Sequence, residues 1–452
     1  MAAPALTARI LRRLLASGLN GRAERLLARV HAADFGPLIS DLEPDEIGTV
    51  IDMLFARQRA AEVLSELPPD LFRRVVEAVG DERLGAALAR LPIDDMAHLV
   101  TELPDERREA VIARLPEERR EQLRQIELYP EQSAGRVMTT DFVALDAKMT
   151  AQEAIDYVRA RGADHDAESV LYLYVVDEEG RLRGVVPIRR LVTCAPERRC
   201  GELMIPDAIR VRADTDQEQA AAIVARYNLL ALPVTDEDDH MLGVITVDDV
   251  IDVIREEATE DIYHLAGLHE EERIYSPVLL SVRKRLPWMV ANLATCFLAA
   301  GVVGLFERAI EQVVLLAVFM PVVAGMAGNA GIQSLTVVAR GIALGEAELS
   351  SAGRAVINQS LVGLLVGAVT GAAAAAIAAA WGTSPIMGAV VFAAIVVSMT
   401  VASLSGAAVP LVLKALGQDP ALGSGVIVTT FTDAVGFLSF LGIATLVLER
   451  LV

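Results

Sequence analysis

Residues 425–448 read GVIVTTFTDAVGFLSFLGIATLVL, a run with one charged side chain, Asp433. A helix needs about 20 apolar residues to cross the hydrocarbon core of a bilayer, and this run is long enough. One such run can be the buried helix of a soluble core. Reading back along the chain, four more precede it, at roughly 287–306, 313–339, 355–380 and 386–413. Five in succession have no place in one soluble core, so the chain reads as a multidomain integral membrane protein. Residues 277–452 form its five-helix α-helical transmembrane domain, embedded in the lipid bilayer.

The rest of the chain has a different character. The 452 residues are 53% hydrophobic and 23% charged, with a formal net charge of −20. Residues 286–452 hold only seven acidic and five basic side chains, so an excess of 18 negative charges lies in residues 1–285. An acidic surface has nothing to neutralise phosphates with, which excludes nucleic acid as a partner. No nucleophile–base set or phosphate loop is present, so the chain is not read as an enzyme. The three cysteines, Cys194, Cys200 and Cys296, have neither zinc-like nor redox-motif spacing, which suits a reduced cytosolic setting. Arg9, Arg12 and Arg13 fit an organellar presequence as well as an amphipathic helix carrying Leu11, Leu15 and Leu19; the helix is preferred.

Basic residues near spans mark the cytoplasmic side. Arg283, Lys284, Arg285, Arg340, Arg354 and Lys414 lie on one side, and Arg308 and Arg450 on the other. Six against two puts the N-terminal domains in the cytoplasm and the C-terminus outside, in a multi-pass protein of the plasma (inner) membrane.

Two segments carry chemistry. In PVVAGMAGNAGIQS (321–334), a proline and clustered glycines, Gly325 and Gly328 among them, weaken a helix. A break there is expected, facing a pore or binding site, with a packing kink as the alternative. In the 425–448 run, Asp433 follows Thr429 and Thr430, and no span interior holds a lysine or arginine to pair with it. A carboxylate at that depth costs roughly 2.5–3.5 kcal/mol, so water and a passing cation are its simplest partners. Oxygen donors without histidine or cysteine suit a hard, hydrated divalent ion such as Mg²⁺. Two copies about a two-fold axis would give a carboxylate ring, but sequence alone does not supply the dimer.

The chain resembles the MgtE family of magnesium channels or transporters over nearly its whole length. Four segments carry the resemblance in the same order: YPEQSAGRVMTT (129–140), VDDVIDVIREEATEDIYHLAG (247–267), 321–334 and TTFTDAVGF (429–437). It implies a homodimer with the ion path at the subunit interface and Asp433 as the pore aspartate. Asn329, Thr429 and Thr430 match pore-lining positions.

Upstream, Leu42, Leu67, Leu91, Leu103 and Leu115 recur at intervals of 25, 24, 12 and 12, each followed by proline and mostly by acids. Proline and negative charge suit a helix's first turn, so residues 1–128 read as a cytosolic α-helical superhelical N-domain. A second repeat, of period 59, pairs Val175–Val186 with Val234–Ile245 as strand, turn, strand and helix. This resembles tandem α+β CBS modules, at 129–199 and 200–250, followed by a connecting plug helix at 251–276. CBS modules often bind adenosine nucleotides. Thr246 and Asp249 keep the ribose-binding pattern, whereas Pro187 and Arg190 break it in the first module, leaving ATP an open alternative ligand.

Magnesium is also the expected ligand of the cytosolic part. Positions 249, 252, 256 and 260 share one helical face, which is either a solvated acidic face or a metal-binding one. The resemblance implies regulatory ligands at Asp249, Asp252 and Asp95, with the Ala225 and Gly135 carbonyls. Asp419 is expected to join Glu257, Glu260 or Asp261 near the membrane. His165, between Asp164 and Asp166, reads as an exposed turn, and Trp288 and Trp381 as interfacial anchors. The expected function is Mg²⁺ uptake gated by cytosolic Mg²⁺ in negative feedback. The alternative is a CBS-regulated transporter of another divalent cation or solute, controlled by adenine nucleotides.

Overall fold

The computed structural model describes residues 4–161, 172–268, 272, 276–346 and 351–451. His165 lies outside the described residues. The chain divides into two compact units, Met1–Ile254 and Arg255–Val452.

The first unit opens with a run of short helices from Pro4–Ala16 to Glu117–Glu127. The leucine–proline repeat explains their spacing. Leu42, Leu67, Leu91, Leu103 and Leu115 are all buried. The proline after each begins the next helix: Pro44 and Pro69 are first helical residues, and Pro92, Pro104 and Pro116 are N-caps. Helix Pro44–Ala56 adds a capping box between Glu43 and Glu46.

Four arginines tie successive helices of the stack together. Arg59 donates to the Leu27 carbonyl at 3.0 Å, Arg74 to Leu42 at 2.8 Å and Arg107 to Val79 at 2.7 Å, and Arg119 reaches Leu91. The sequence separations are 32, 32, 28 and 28 residues. Each guanidinium thus caps a carbonyl at or just beyond the end of an earlier helix, where unpaired carbonyls and the negative end of the dipole attract it.

Two small sheets follow. The first orders β1 (Ala144–Asp146), β2 (Tyr172–Val176), β3 (Leu182–Pro187) and β4 (Ile205–Pro206). The second orders β5 (Val211–Arg212), β6 (Ala231–Thr235) and β7 (Met241–Thr246). In each, a short parallel strand precedes an antiparallel hairpin. Tyr174 pairs with Val185 and Pro233 with Val244, and both hairpins carry an irregularity at the same place. The period of 59 is therefore a repeat of register as well as of sequence.

Helix Val247–Leu265 leaves β7 directly. It ends sooner than the expected plug at 251–276, because Gly267 adopts φ +69 and the Leu268 amide turns back to the Tyr263 carbonyl at 2.8 Å.

Among the described residues of the second unit, five helices are long and apolar enough to cross a membrane: Val278–Gly304, Leu315–Ala343, Ala352–Ala380, Pro385–Ala415 and Ser424–Leu446. They are called the first to fifth spans below. One expectation is corrected here. The second span is continuous from Leu315 to Ala343, with no break at Pro321 or the glycines. Pro321 stands in its early turns, where one carbonyl is freed. Gly331, farther along, serves packing instead. A Cβ on Gly406 of the fourth span would overlap the Gly331 carbonyl, and one on Gly331 would lie 2.9 Å from both Thr432 and Val428. The second, fourth and fifth spans therefore meet at a crossing that only glycine permits.

Candidate ion pathway and metal centre

The fifth span starts after Gly423, whose φ of +63 turns the chain into the helix. Thr429 and Thr430 precede Asp433 by four and three positions, so helical spacing places all three on one face. The threonine hydroxyls donate to the Gly425 and Val426 carbonyls of their own helix, both at 2.8 Å. Their protons are thereby engaged and their oxygen lone pairs are left for a cation or water. Thr432 and Gly436, on the adjacent face, are buried against the second span.

Asp433 itself is half-buried and has no hydrogen bond or ion pair among the described residues. On the second span, Asn329 and Gly325 are exposed one turn apart, and Gly328 is half-buried. No atom lies within 4 Å of where a Cβ would stand on Gly325 or Gly328. An exposed amide and an unpaired carboxylate inside apolar helices do not face hydrocarbon; they need protein or a water-filled space.

The first unit gathers a different set of acids. Asp249, in the first turn of helix Val247–Leu265, accepts from both the amide and the hydroxyl of Thr246. Thr246 and Asp249 thus cap the helix together. Burial pushes the Asp249 carboxyl up to about 7, and Asp248 and Asp95 add repulsion. Asp94 was missed in the sequence. Burial lifts its pKa well above the usual carboxylate range, with Asp249 and Asp95 adding to the rise. Its Oδ1 is enclosed without a hydrogen-bond partner among the described residues. Arg119 stands nearby, its own pKa lowered by burial and raised again by Asp94.

The other expected ligands are less closely gathered. Gly135 donates its amide to Ala213 at 2.8 Å, and a Cβ there would meet the Tyr129 ring at 2.6 Å. Ala225 lies in the last turn of helix Gln217–Tyr227, where the Asn228 and Leu229 amides both bond Val224 instead. Asn228 takes the left-handed conformation at φ 52, a position asparagine tolerates. Asp252 is exposed.

In the second unit, His264 Nδ1 bonds Asp419 Oδ2 at 2.7 Å and lies 3.7 Å from Glu260 Oε1. Asp261 is raised by burial and by the Asp419 charge. Sequence reasoning paired Asp419 with these acids but missed His264, whose place on the helix end was its only signal. Glu257 is half-buried on the same helix. Among the described residues no group of three or more His, Cys, Asp or Glu is arranged to hold a metal ion through those side chains alone.

Family models match three parts of the chain: a divalent cation transporter model, MgtE, at 320–443, an MgtE intracellular N domain at 30–132, and CBS domains at 134–197 and 200–256. The chain is 35% identical over 333 residues to the magnesium transporter MgtE of Thermus thermophilus, covering 73% of each. It is 33% identical over 331 residues to that of Enterococcus faecalis, covering 73% of this chain and 72% of the other. Among solved structures, it resembles the cytosolic domain of the Mg²⁺ channel MgtE in complex with ATP, at 33% identity and TM-score 0.52. That match covers 54% of this chain and 99% of the other. It also resembles the soluble part of a magnesium transporter, at 26% identity and TM-score 0.53, covering 57% and 100%.

Proposed function

The chain belongs to the MgtE family of magnesium transporters, and from that premise we propose that Mg²⁺ crosses the bilayer along the face carrying Asp433, Thr429 and Thr430. It is a multi-pass membrane protein that transports Mg²⁺ under the control of cytosolic N and CBS domains, and it is not an enzyme. The observation that carries the path is the half-buried, unpaired Asp433 beside hydroxyl oxygens. Mg²⁺ keeps most of its water shell and binds through one or two carboxylates, which this face supplies. Asn329, Gly325 and Gly328 border the same path. A second copy about a two-fold axis, each contributing its Asp433, encloses the exposed polar positions and keeps them from lipid. The C-terminus lies outside, in a plasma (inner) membrane.

Regulation follows from the buried acids. Burial raises both Asp94 and Asp249, with Asp249 and Asp95 adding to the rise at Asp94 and Asp248 and Asp95 to that at Asp249, and among the described residues Asp94 Oδ1 has no donor. A divalent cation fits such a set, because it relieves the repulsion that burial enforces. Asp95 and Asp249, with Asp252 and the Ala225 and Gly135 carbonyls, are the proposed cytosolic ligands, and Asp419 with Glu257, Glu260 and Asp261 those near the membrane. Cation binding to the closed form stabilises it by mass action, giving negative feedback on uptake. ATP at the second CBS module, near Thr246 and Asp249, is a second ligand on this reading, supported by the ATP complex of the similar cytosolic domain.

Uptake by the purified protein in liposomes tests the function. Mg²⁺ should enter, Ca²⁺ should compete poorly, and millimolar Mg²⁺ inside should slow entry. Transport of a different solute under ATP control, indifferent to Mg²⁺, would favour the alternative.

A further inference from the structure

Trp288, about three turns into the first span, lies between two glycines of positive φ. Gly267 (φ +69) ends the helix Val247–Leu265, and Gly423 (φ +63) begins the fifth span. The pyrrole edge covers Gly267, where a Cβ would overlap Nε1 and fall 2.8 Å from Cε2. The benzo edge covers Gly423, where a Cβ would fall 2.6 Å from Cη2 and 2.9 Å from Cζ2. One indole therefore spans the end of one helix and the start of another. Its Nε1 is enclosed and, among the described residues, has no acceptor. Around it, the Gly423 amide reaches the His264 carbonyl at 3.4 Å. Gly425 lies so close to the Leu265 carbonyl that any side chain there would collide with it.

We propose that Trp288 is the positioning residue that couples the end of the connecting helix to the helix carrying Asp433. The fifth span is regular from Ser424 to Leu446, so a displacement at Gly423 is carried to Asp433, about 15 Å along the axis. Glycine at 267, 423 and 425 allows contact too close for the two helix ends to slide past one another while the indole stays in place. An enclosed N–H without an acceptor destabilises the arrangement that holds it. The joint is therefore one of two states, and in the other Nε1 reaches water or a headgroup oxygen. Release of the helix end and movement of the pore helix are then a single event. This inference rests on the reading that cytosolic Mg²⁺ closes the pathway.

The test uses the full-length protein in liposomes. Trp288→Ala should still conduct, but the internal Mg²⁺ needed for half-inhibition should rise at least tenfold, while Trp288→Phe, which keeps a ring over the glycines, should stay within about threefold of wild type. In Trp381→Phe, Trp288 is the one tryptophan left of two, and its emission should shift to the red when a chelator removes Mg²⁺. Half-inhibition of Trp288→Ala at the wild-type Mg²⁺ concentration would overturn the coupling. So would emission from Trp288 that is the same with and without Mg²⁺, a measurement that stands even where the alanine variant does not fold. Wild-type flux indifferent to internal Mg²⁺ would instead remove the gating reading, with the emission still reporting on the joint.

Discussion

Asp249 shows how one carboxyl links burial to cation binding. Its pKa is raised to about 7 from an ordinary 3.8, first by burial. An acid whose pKa is higher folded than unfolded favours the folded state fully below the unfolded pKa, and that contribution is lost as pH rises through the folded one. Metal-free protein should therefore lose stability between about pH 4 and 7, and Mg²⁺ should restore it only where the proton is gone. The rise in melting temperature on adding Mg²⁺ should be several degrees larger at pH 8 than at pH 6. Asp249→Asn should melt higher than wild type at pH 8 without Mg²⁺ and respond little to it; an equal Mg²⁺ response at both pH values would contradict the assignment. Helical spacing put Asp249 and Asp252 on one face, and the family resemblance singled them out as ligands. Asp94 was not legible, because nothing local distinguishes it from Asp95; only packing encloses its Oδ1.

At the scale of elements, the close crossing of the second and fourth spans is the feature most sensitive to side-chain size. Gly406→Val would force a branched side chain onto the Gly331 carbonyl. Overpacking of this kind costs about 1–3 kcal/mol, and more where backbone is the obstacle. The expected result is a lower melting temperature in detergent with flux reduced in parallel, whereas Gly301→Val, with open space around it, should change neither. In the N-domain, Arg74→Ala removes bonds to the Ser40 and Leu42 carbonyls and should destabilise by about 1–3 kcal/mol, read from chemical unfolding. Lysine should not restore it, lacking the planar fork. The apolar runs gave all five spans to within a few residues except at the start of the first, where helix extends back through basic residues to Val278. The expected break at 321–334 did not appear, because proline and glycine propensities describe an isolated helix. Here Gly331 and Gly406 let the second and fourth spans pack closely, and the helix runs on without interruption. The arginine staples were also hidden, since each reaches across 28–32 residues to a backbone carbonyl, which carries no residue signature.

For the whole molecule, the buried acids Asp94 and Asp249 and the face carrying Asp433 fall in different compact units, Met1–Ile254 and Arg255–Val452. Removing residues 1–254 should leave Mg²⁺ uptake in liposomes but raise at least tenfold the internal Mg²⁺ needed for half-inhibition, because only the ligands near the membrane remain; half-inhibition at the wild-type concentration would put the whole sensor in the membrane unit. The charge asymmetry made this division legible, because 18 of the net negative charges lie before residue 286. The central claim is that Asp433 touches the ion as it crosses. Mg²⁺ uptake by Asp433→Ala, compared with wild type and Asp433→Glu at matched reconstitution and melting temperature, tests it most directly. The account predicts uptake at the protein-free background for alanine and partial uptake for glutamate, and wild-type uptake by the alanine variant would contradict it.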